Sequence, residues 1–159
     1  MRLYHGSNVP VETPKLLPKA RALDFGAGFY LTTDFEQASN WAKLTTFRRK
    51  AGNPTVTVYE VKPEVLDGLN IRKFNQANAE WLRYISANRM NSAFPETCDV
   101  IIGPVANDNT MPVINMYLKG SYDEEEALKR LLPYKLKDQY TFRTERALSA
   151  LEFCEVMEV

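Results

Sequence analysis

The chain has 159 residues, and its twenty basic side chains balance twenty acidic ones. Because 45% of the residues are hydrophobic and the Gly and Pro residues are scattered, the composition excludes a disordered or low-complexity chain. The zero net charge excludes a global field that would attract nucleic acid, and no apolar run approaches the roughly 18 residues of a membrane span. We therefore expect one domain over residues 1–159, in the cytoplasm and without membrane contact.

The residues that usually bind metal ions are scarce in this chain. Cys98 and Cys154 are its two cysteines and lie far apart, and His5 is its only histidine. A structural zinc site needs a full set of such ligands, and a disulfide framework needs several paired cysteines. We therefore expect no bound metal and no disulfide framework.

The first half of the chain predicts three strands and one helix. In order, the elements are a strand over 2–5, a loop over 7–28 with a helical turn near 17–23, a strand over 28–33, a helix over 35–50 and a strand over 55–61. Asp34 and Gln37 have the spacing of a capping box, which indicates where the helix begins. The last strand has the clearest pattern, because it is rich in β-branched residues.

The second half predicts more helix than strand. In order, the elements are a helix over 76–90, a strand followed by a Gly-Pro loop over 99–108, a helix over 113–120, a helix over 123–133, a strand over 139–144 and a short helix over 145–153. Ser121 with Glu124 forms another capping box, and Thr144 is positioned to cap the final helix. Short strands with helices inserted in no regular βαβ rhythm predict an α+β fold with a mainly antiparallel sheet.

Three segments stand out as candidate functional motifs: LYHGS at 3–7, GAGFYLT at 26–32 with ASNWA at 38–42, and QYTFRT at 139–144. Together they resemble the ADP-ribosyltransferase superfamily, in the branch of the poly-ADP-ribose polymerases and diphtheria toxin, whose active site has a His, a Tyr and usually a Glu on three strands. They also resemble a bacterial family of uncharacterised domains with the same motifs. The resemblance implies split, mainly antiparallel β-sheets with inserted helices, NAD as co-substrate and no metal.

The first motif supplies the expected contacts to the two ends of NAD. The resemblance implies that His5 hydrogen-bonds the adenosine ribose, and that Gly6 offers its backbone N–H and C=O to the nicotinamide amide. A glycine suits that role because no Cβ obstructs a flat ring. The same resemblance gives Ser7 a hydroxyl contact to the ligand. Without the resemblance, His5 is interpreted as an ordinary strand-end residue.

The second motif supplies the aromatic rings. The resemblance implies that Tyr30 and Trp41, eleven positions apart (41 − 30 = 11), pack against the nicotinamide. Gly26 and Gly28 let the preceding loop approach the ligand closely. Packing in the hydrophobic core is the alternative role for both rings, because half-buried aromatic residues with a polar tip are common in cores.

The third motif departs from the family pattern. Gln139 aligns with the glutamate that stabilises the oxocarbenium ion formed as nicotinamide leaves, and a neutral amide stabilises that charge less. Asp138 and Glu145 are the neighbouring carboxylates, although strand alternation turns Asp138 to the opposite face. Ala38, with Ser39 beside it, aligns with a serine that binds the nicotinamide amide in related enzymes. The predicted catalytic set is therefore His5 and Gln139, together with the tyrosine of the second motif.

Three functions remain open from the sequence. The first is a mono-ADP-ribosyltransferase that modifies a protein or nucleic-acid acceptor, and the resemblance suggests an intracellular toxin or phage-defence effector held by an antitoxin. The second is a non-catalytic module that binds NAD or ADP-ribose, or an interaction protein that retains the pocket. The third is transfer of an RNA 2′-phosphate onto NAD, which the balanced charge and the lack of an Arg/Lys pair in the motifs disfavour.

Overall fold

The protein is built on one β-sheet whose strands are separated along the chain by helices. The structure, a computed structural model, describes residues 1–17, 23–90 and 96–159. Its strands are β1 (Arg2–Ser7), β2 (Phe29–Thr32), β3 (Thr55–Glu60), β4 (Ile71–Lys73), β5 (Val100–Pro104), β6 (Asp138–Phe142) and β7 (Glu152–Glu158). Its helices are α1 (Phe35–Arg49), α2 (Pro63–Asp67), α3 (Ala79–Met90), α4 (Met111–Leu118), α5 (Glu124–Leu131) and α6 (Glu145–Leu148). Most of the helical turn expected near 17–23 lies outside the described residues.

The seven strands form a mixed sheet in the order β4-β5-β6-β2-β1-β3-β7. Neighbouring strands run antiparallel in every pair except β4 and β5, which run parallel. The prediction of an α+β fold with a mainly antiparallel arrangement is therefore confirmed. The strands form one sheet, and not the split sheets that the resemblance implies. The strands β1, β2 and β6, which carry the three motifs, lie next to one another in the middle of the sheet.

Local patterns located the longer elements correctly. Asp34 caps α1 as expected, and its carboxylate accepts a hydrogen bond from the backbone N–H of Gln37 at 2.8 Å. That hydrogen bond and one from Lys137 hold the pKa of Asp34 below its ordinary value. Thr144 caps α6 in the same way, with its hydroxyl accepting from the N–H of Ala147.

Several predicted boundaries were wrong, and α2, β4 and β7 were not predicted. Gly103 and Pro104, predicted as a loop, are the last two residues of β5. The helix predicted over 145–153 ends at Leu148, because the residues from Glu152 onward pair with the outer edge of β3 as β7. A free strand edge distant in the sequence outweighs the local helical pattern there. The cap of α5 is Asp123 and not Ser121, since the Asp123 carboxylate lies 2.8 Å from the N–H of Glu126.

Hydrophobic side chains cover both faces of the sheet, because successive strand residues point to opposite faces. The core on the first face includes Leu3, Phe29, Leu31, Tyr59 and Phe142. The core on the second face includes Phe25, Trp81, Leu82, Ile101 and Ile114, and α1 packs on the same face through Ala38 and Ala42 against Val56 and Val58. No helix within the described ranges is both long and apolar enough to cross a membrane.

Candidate functional site

The pairing of β1 differs sharply between its two edges. With β3, β1 pairs at every residue from Arg2 to Ser7, whereas with β2 it pairs only at Tyr4 and Thr32. β2 nevertheless pairs with β6 along its whole length. The sheet is therefore open between residues 5–7 of β1 and 29–31 of β2, a gap that we call the opening. Backbone groups along an unpaired strand edge can hydrogen-bond another molecule.

His5 lies beside this opening in a fixed orientation. Its Nδ1 lies 2.8 Å from the carbonyl oxygen of Tyr30, and because a carbonyl only accepts, Nδ1 carries the hydrogen. The imidazole stacks on Phe29 with ring centroids 4.2 Å apart. Burial lowers the pKa of His5 from 6.5 to about 4, opposed by the Tyr30 hydrogen bond and assisted by the positive charge of Arg49. The ring is therefore uncharged at neutral pH.

The free nitrogen of the His5 ring defines what this side chain can bind. With Nδ1 protonated and the ring neutral, Nε2 carries a lone pair and acts as a hydrogen-bond acceptor. Nε2 makes no hydrogen bond to any residue that the structure describes. A hydroxyl group is the simplest partner for such an atom.

Gly6 serves the packing of α1. A Cβ at this position would lie 2.0 Å from the carbonyl oxygen of Ala38 and 2.9 Å from the backbone nitrogen of Ala42, so only glycine lets the helix approach β1 this closely. Ser7 is buried, and its hydroxyl donates a long hydrogen bond of 3.5 Å to Oδ1 of Asn8. Both residues therefore have structural roles next to the opening.

Tyr30 holds the loop that precedes β2. Its hydroxyl accepts from the N–H of Phe25 at 3.1 Å and donates to the carbonyl of Gly26 at 2.5 Å, and burial raises the pKa of the phenol. Gly26 has a φ of 75°, which favours glycine. Gly28, at the end of the loop, lies beside Thr141 of β6. The Tyr30 ring packs with the second-face core and remains half-buried.

Trp41 lies on α1, close to the contact between that helix and β1. It is half-buried, three residues after Ala38 and one before Ala42, the two residues that touch Gly6. Side chains spaced in this way share or adjoin one face of a helix. Within the described ranges, Trp41 forms no ring stack with Tyr30, so the structure does not bring the two predicted rings into a stacked pair.

Gln139 belongs to a buried polar cluster that the sequence analysis missed. Gln139 is 2% exposed, and its Nε2 lies 3.4 Å from Oδ2 of Asp24, which is itself 4% exposed. The other Asp24 oxygen accepts two hydrogen bonds from Arg89 of α3, from Nε at 2.8 Å and from Nη2. The N–H of Ala106 donates to Asp24 Oδ2 at 3.1 Å. We call Asp24, Arg89 and Gln139 the Asp24 cluster.

The two carboxylates considered beside Gln139 do not join it. Asp138 points to the opposite face, with Tyr140, and burial raises the pKa of its carboxyl against the opposing charge of Lys73. Glu145 is exposed in the first turn of α6 and lines a cleft of about 390 Å³ with Glu12, Thr13, Pro14, Leu148, Ser149 and Leu151. Asp24 is therefore the carboxylate that the structure brings to Gln139.

The predicted site residues fall into two groups on opposite faces of the sheet. The His5 ring lies on the first face with Phe29, whereas the Tyr30 ring and the Gln139 amide lie on the second face. The hydrogen bond from His5 to the Tyr30 carbonyl links the groups across the opening. A second cleft, of about 360 Å³, is lined by Glu80, Arg83, Tyr84 and Ala87 and contains none of them. Contact with both groups therefore requires a ligand that reaches both faces of the sheet.

Comparison with known proteins assigns the chain to a family but not to an activity. No curated protein and no solved structure matches the chain significantly. One family model matches residues 1–153, nearly the whole chain, and its description names no activity, so the resemblance to ADP-ribosyltransferases stays a prediction. The extent of this match means that the chain belongs to the family described as protein of unknown function, DUF3990.

Proposed function

We propose that the protein is a mono-ADP-ribosyltransferase that binds NAD across the opening between β1 and β2 and modifies a protein or nucleic-acid acceptor. The observation that carries this proposal is the opening itself, a break in strand pairing at the centre of the sheet with an uncharged imidazole at its edge. Antiparallel strands normally pair along their length, so a break between two central strands leaves strand-edge backbone groups that a ligand can bind.

The His5 side of the opening suits the adenosine half of the dinucleotide. The Nε2 lone pair of His5 accepts a hydrogen bond from a ribose hydroxyl, and the fixed Nδ1–H keeps that lone pair in one direction. Arg49 is close enough to lower the pKa of His5, and its Nη1 lies 2.9 Å from Oδ1 of Asn8. Its guanidinium is a suitable partner for the pyrophosphate, because arginine forms strong charge-assisted hydrogen bonds with phosphate oxygens.

The Tyr30 side of the opening suits the nicotinamide half. In the proposed reaction, the bond between C1′ of the ribose and the nicotinamide nitrogen breaks, and both electrons leave with nicotinamide. The ribose carries positive charge until an acceptor oxygen, nitrogen or sulfur atom bonds to C1′ and releases its proton to solvent. Tyr30 provides a ring beside the leaving group, and the Gln139 oxygen accepts a ribose hydroxyl.

A non-catalytic module that binds NAD or ADP-ribose is the second candidate function. The Asp24 cluster favours it, because Gln139 is neutral and the charge of Asp24 is opposed by Arg89. A neutralised cluster gives little stabilisation to a developing oxocarbenium ion. This candidate predicts that NAD raises the melting temperature of the protein and that nicotinamide is not released.

The experiment that separates the two functions measures nicotinamide release. Purified protein is incubated with NAD labelled in the adenylate half, with and without cell lysate, and the products are separated by chromatography. We expect nicotinamide release together with label in lysate macromolecules, both lost in His5→Ala and reduced in Gln139→Ala. The exposed Gln76→Ala is the matched control and should behave as wild type.

Each other outcome has a defined meaning. Release of nicotinamide without label in macromolecules means hydrolysis of NAD instead of transfer. A rise in melting temperature with NAD but no nicotinamide means the binding module. A folded protein that neither releases nicotinamide nor responds to NAD contradicts both candidates.

A further inference from the structure

The geometry points to Asp24 as a positioning residue that holds the Gln139 side chain so that its carbonyl oxygen, and not its nitrogen, is presented to the ligand. This inference rests on the proposed function, because it concerns the residue that takes the place of the family's glutamate. Asp24 lies 115 positions from Gln139 in the sequence, and the structure brings the two side chains together in the Asp24 cluster.

The orientation of the Gln139 amide follows from the chemistry of its partner. An ionised carboxylate only accepts hydrogen bonds, so the amide nitrogen of Gln139 must face Asp24. In the structure, Gln139 Nε2 lies 3.4 Å from Asp24 Oδ2. Oε1 is then the atom on the other side of the amide, and it makes no hydrogen bond to the residues described. One acceptor is therefore left available in a side chain that is otherwise buried.

Asp24 is itself held rigidly, so it can fix its neighbour. Two guanidinium N–H groups of Arg89 reach one carboxylate oxygen, and the N–H of Ala106 reaches the other. These contacts come from α3 and from the segment after β5. Asp24 therefore contacts both of these regions as well as Gln139 of β6. Fixing a side chain before the ligand arrives removes the entropy loss of orienting it on binding.

The direction of the amide matters for the reaction proposed above. A glutamine that turns freely presents an N–H group to the ribose in part of the population, and an N–H donor beside a developing positive charge is unfavourable. The carbonyl oxygen instead accepts the ribose hydroxyl and points a negative partial charge at the reacting carbon. Asp24 thus allows a neutral residue to fill the acceptor role of a glutamate.

This arrangement predicts that Asp24→Asn lowers activity when residue 139 is glutamine and raises it when residue 139 is glutamate. In the wild type, Asp24→Asn removes the acceptor that orients the amide, so activity should fall. In the Gln139→Glu variant, two carboxylates face each other and repel, so activity is low. There, Asp24→Asn replaces the repulsion with an amide donor, so activity should rise. A purely structural Asp24 would lose activity in both backgrounds.

The test compares four proteins: wild type, Asp24→Asn, Gln139→Glu and the double variant, with the exposed Asp67→Asn as matched control. The readouts are kcat and KM for nicotinamide release. We expect Asp24→Asn to lower kcat about tenfold in the wild-type background, with KM changed by less than about threefold, and to raise kcat at least about tenfold in the Gln139→Glu background. A fall in both backgrounds, or no change in the wild type, overturns the inference.

A second measurement requires no substitution at Asp24 and does not depend on NAD. The side-chain amide protons of Gln139 are identified in nitrogen-15 NMR spectra by their loss in Gln139→Glu. We expect them to exchange slowly with solvent in the wild type, and exchange as fast as that of Gln76 overturns the pairing. If the wild type neither binds nor cleaves NAD, the proposed function fails, while this measurement still tests whether the Gln139 amide is held in place.

Discussion

The two edges of β1 differ in how they pair with neighbouring strands. One edge is fully paired with β3 from Arg2 to Ser7, and the other meets β2 at Tyr4 alone. At the open edge, the His5 side chain hydrogen-bonds the Tyr30 carbonyl, which a backbone N–H would otherwise reach in a continuous ladder. A side chain thus satisfies a backbone group while the strands stay apart. Changes at the paired edge should therefore affect folding, and changes at the open edge should affect ligand binding.

Gly6→Ala tests the packing of α1 on β1 and should have the largest effect. The new Cβ would lie 2.0 Å from the Ala38 carbonyl, so α1 must move away from β1, and we expect the free energy of unfolding to fall by about 3 kcal/mol. Urea denaturation measures it. Gly68→Ala is the matched control, because its Cβ comes no closer than 3.5 Å to a neighbouring atom and its φ of −80° suits alanine. Equal losses in the two variants would contradict the helix-packing role of Gly6.

The pH dependence of stability tests the neutral state of His5. Because the pKa of His5 falls from 6.5 to about 4 on folding, the unfolded chain takes up a proton between these pH values and the folded chain does not. The free energy of unfolding should therefore decrease as the pH is lowered, by about 1.5 kcal/mol between pH 7 and pH 5. Urea denaturation of wild type and His5→Gln measures this, and the variant should lack most of the slope. The same slope in both proteins would contradict the neutral state of His5 in the folded protein.

His5→Gln at neutral pH tests the open edge directly. The glutamine amide can still donate to the Tyr30 carbonyl but does not present the Nε2 lone pair in the same direction, so we expect the Kd for NAD to rise about tenfold. The free energy of unfolding at neutral pH should change by less than about 1 kcal/mol. Calorimetric titration measures the affinity, and the exposed Asn40→Gln serves as control. A large loss of stability with unchanged affinity would reverse the assignment of the two edges.

Arg49→Gln should give the smallest of these effects. Removing one exposed cation beside the proposed pyrophosphate site should raise the Kd for NAD about threefold at low salt and less at high salt. Arg48→Gln, its exposed neighbour on α1, is the matched control and should leave the Kd unchanged. Identical effects of the two substitutions would mean that only the overall charge of the helix end matters.

The elements that sequence reasoning found are those whose cause is local. The Asp34 cap and the β-branched residues of β3 act over a few positions, so α1 and β3 were predicted with small errors. β7 was missed because it depends on the free edge of β3, nearly 100 residues earlier in the chain. The helix predicted over 145–153 included the first residues of β7, because their local pattern is helical. The long-range pairing with β3 overrides that pattern.

The candidate site was predictable only in part for the same reason. His5, Tyr30 and Gln139 were chosen from short motifs, and the structure brings their strands together in the middle of the sheet. No motif pointed to Asp24, whose importance comes from a contact with Gln139 across the fold. Nor could the motifs reveal that alternation along the strands separates the His5 ring from the Tyr30 ring.

Gly6 also determines what can be learned by comparing relatives of this protein. The backbone of α1 excludes any side chain at position 6, so the fold demands a glycine there whether or not a ligand binds. A lineage that had lost every activity would therefore retain Gly6 for as long as α1 packed against β1. Drift at position 5, or paired changes at positions 24 and 139, would instead mark the loss or retuning of a function.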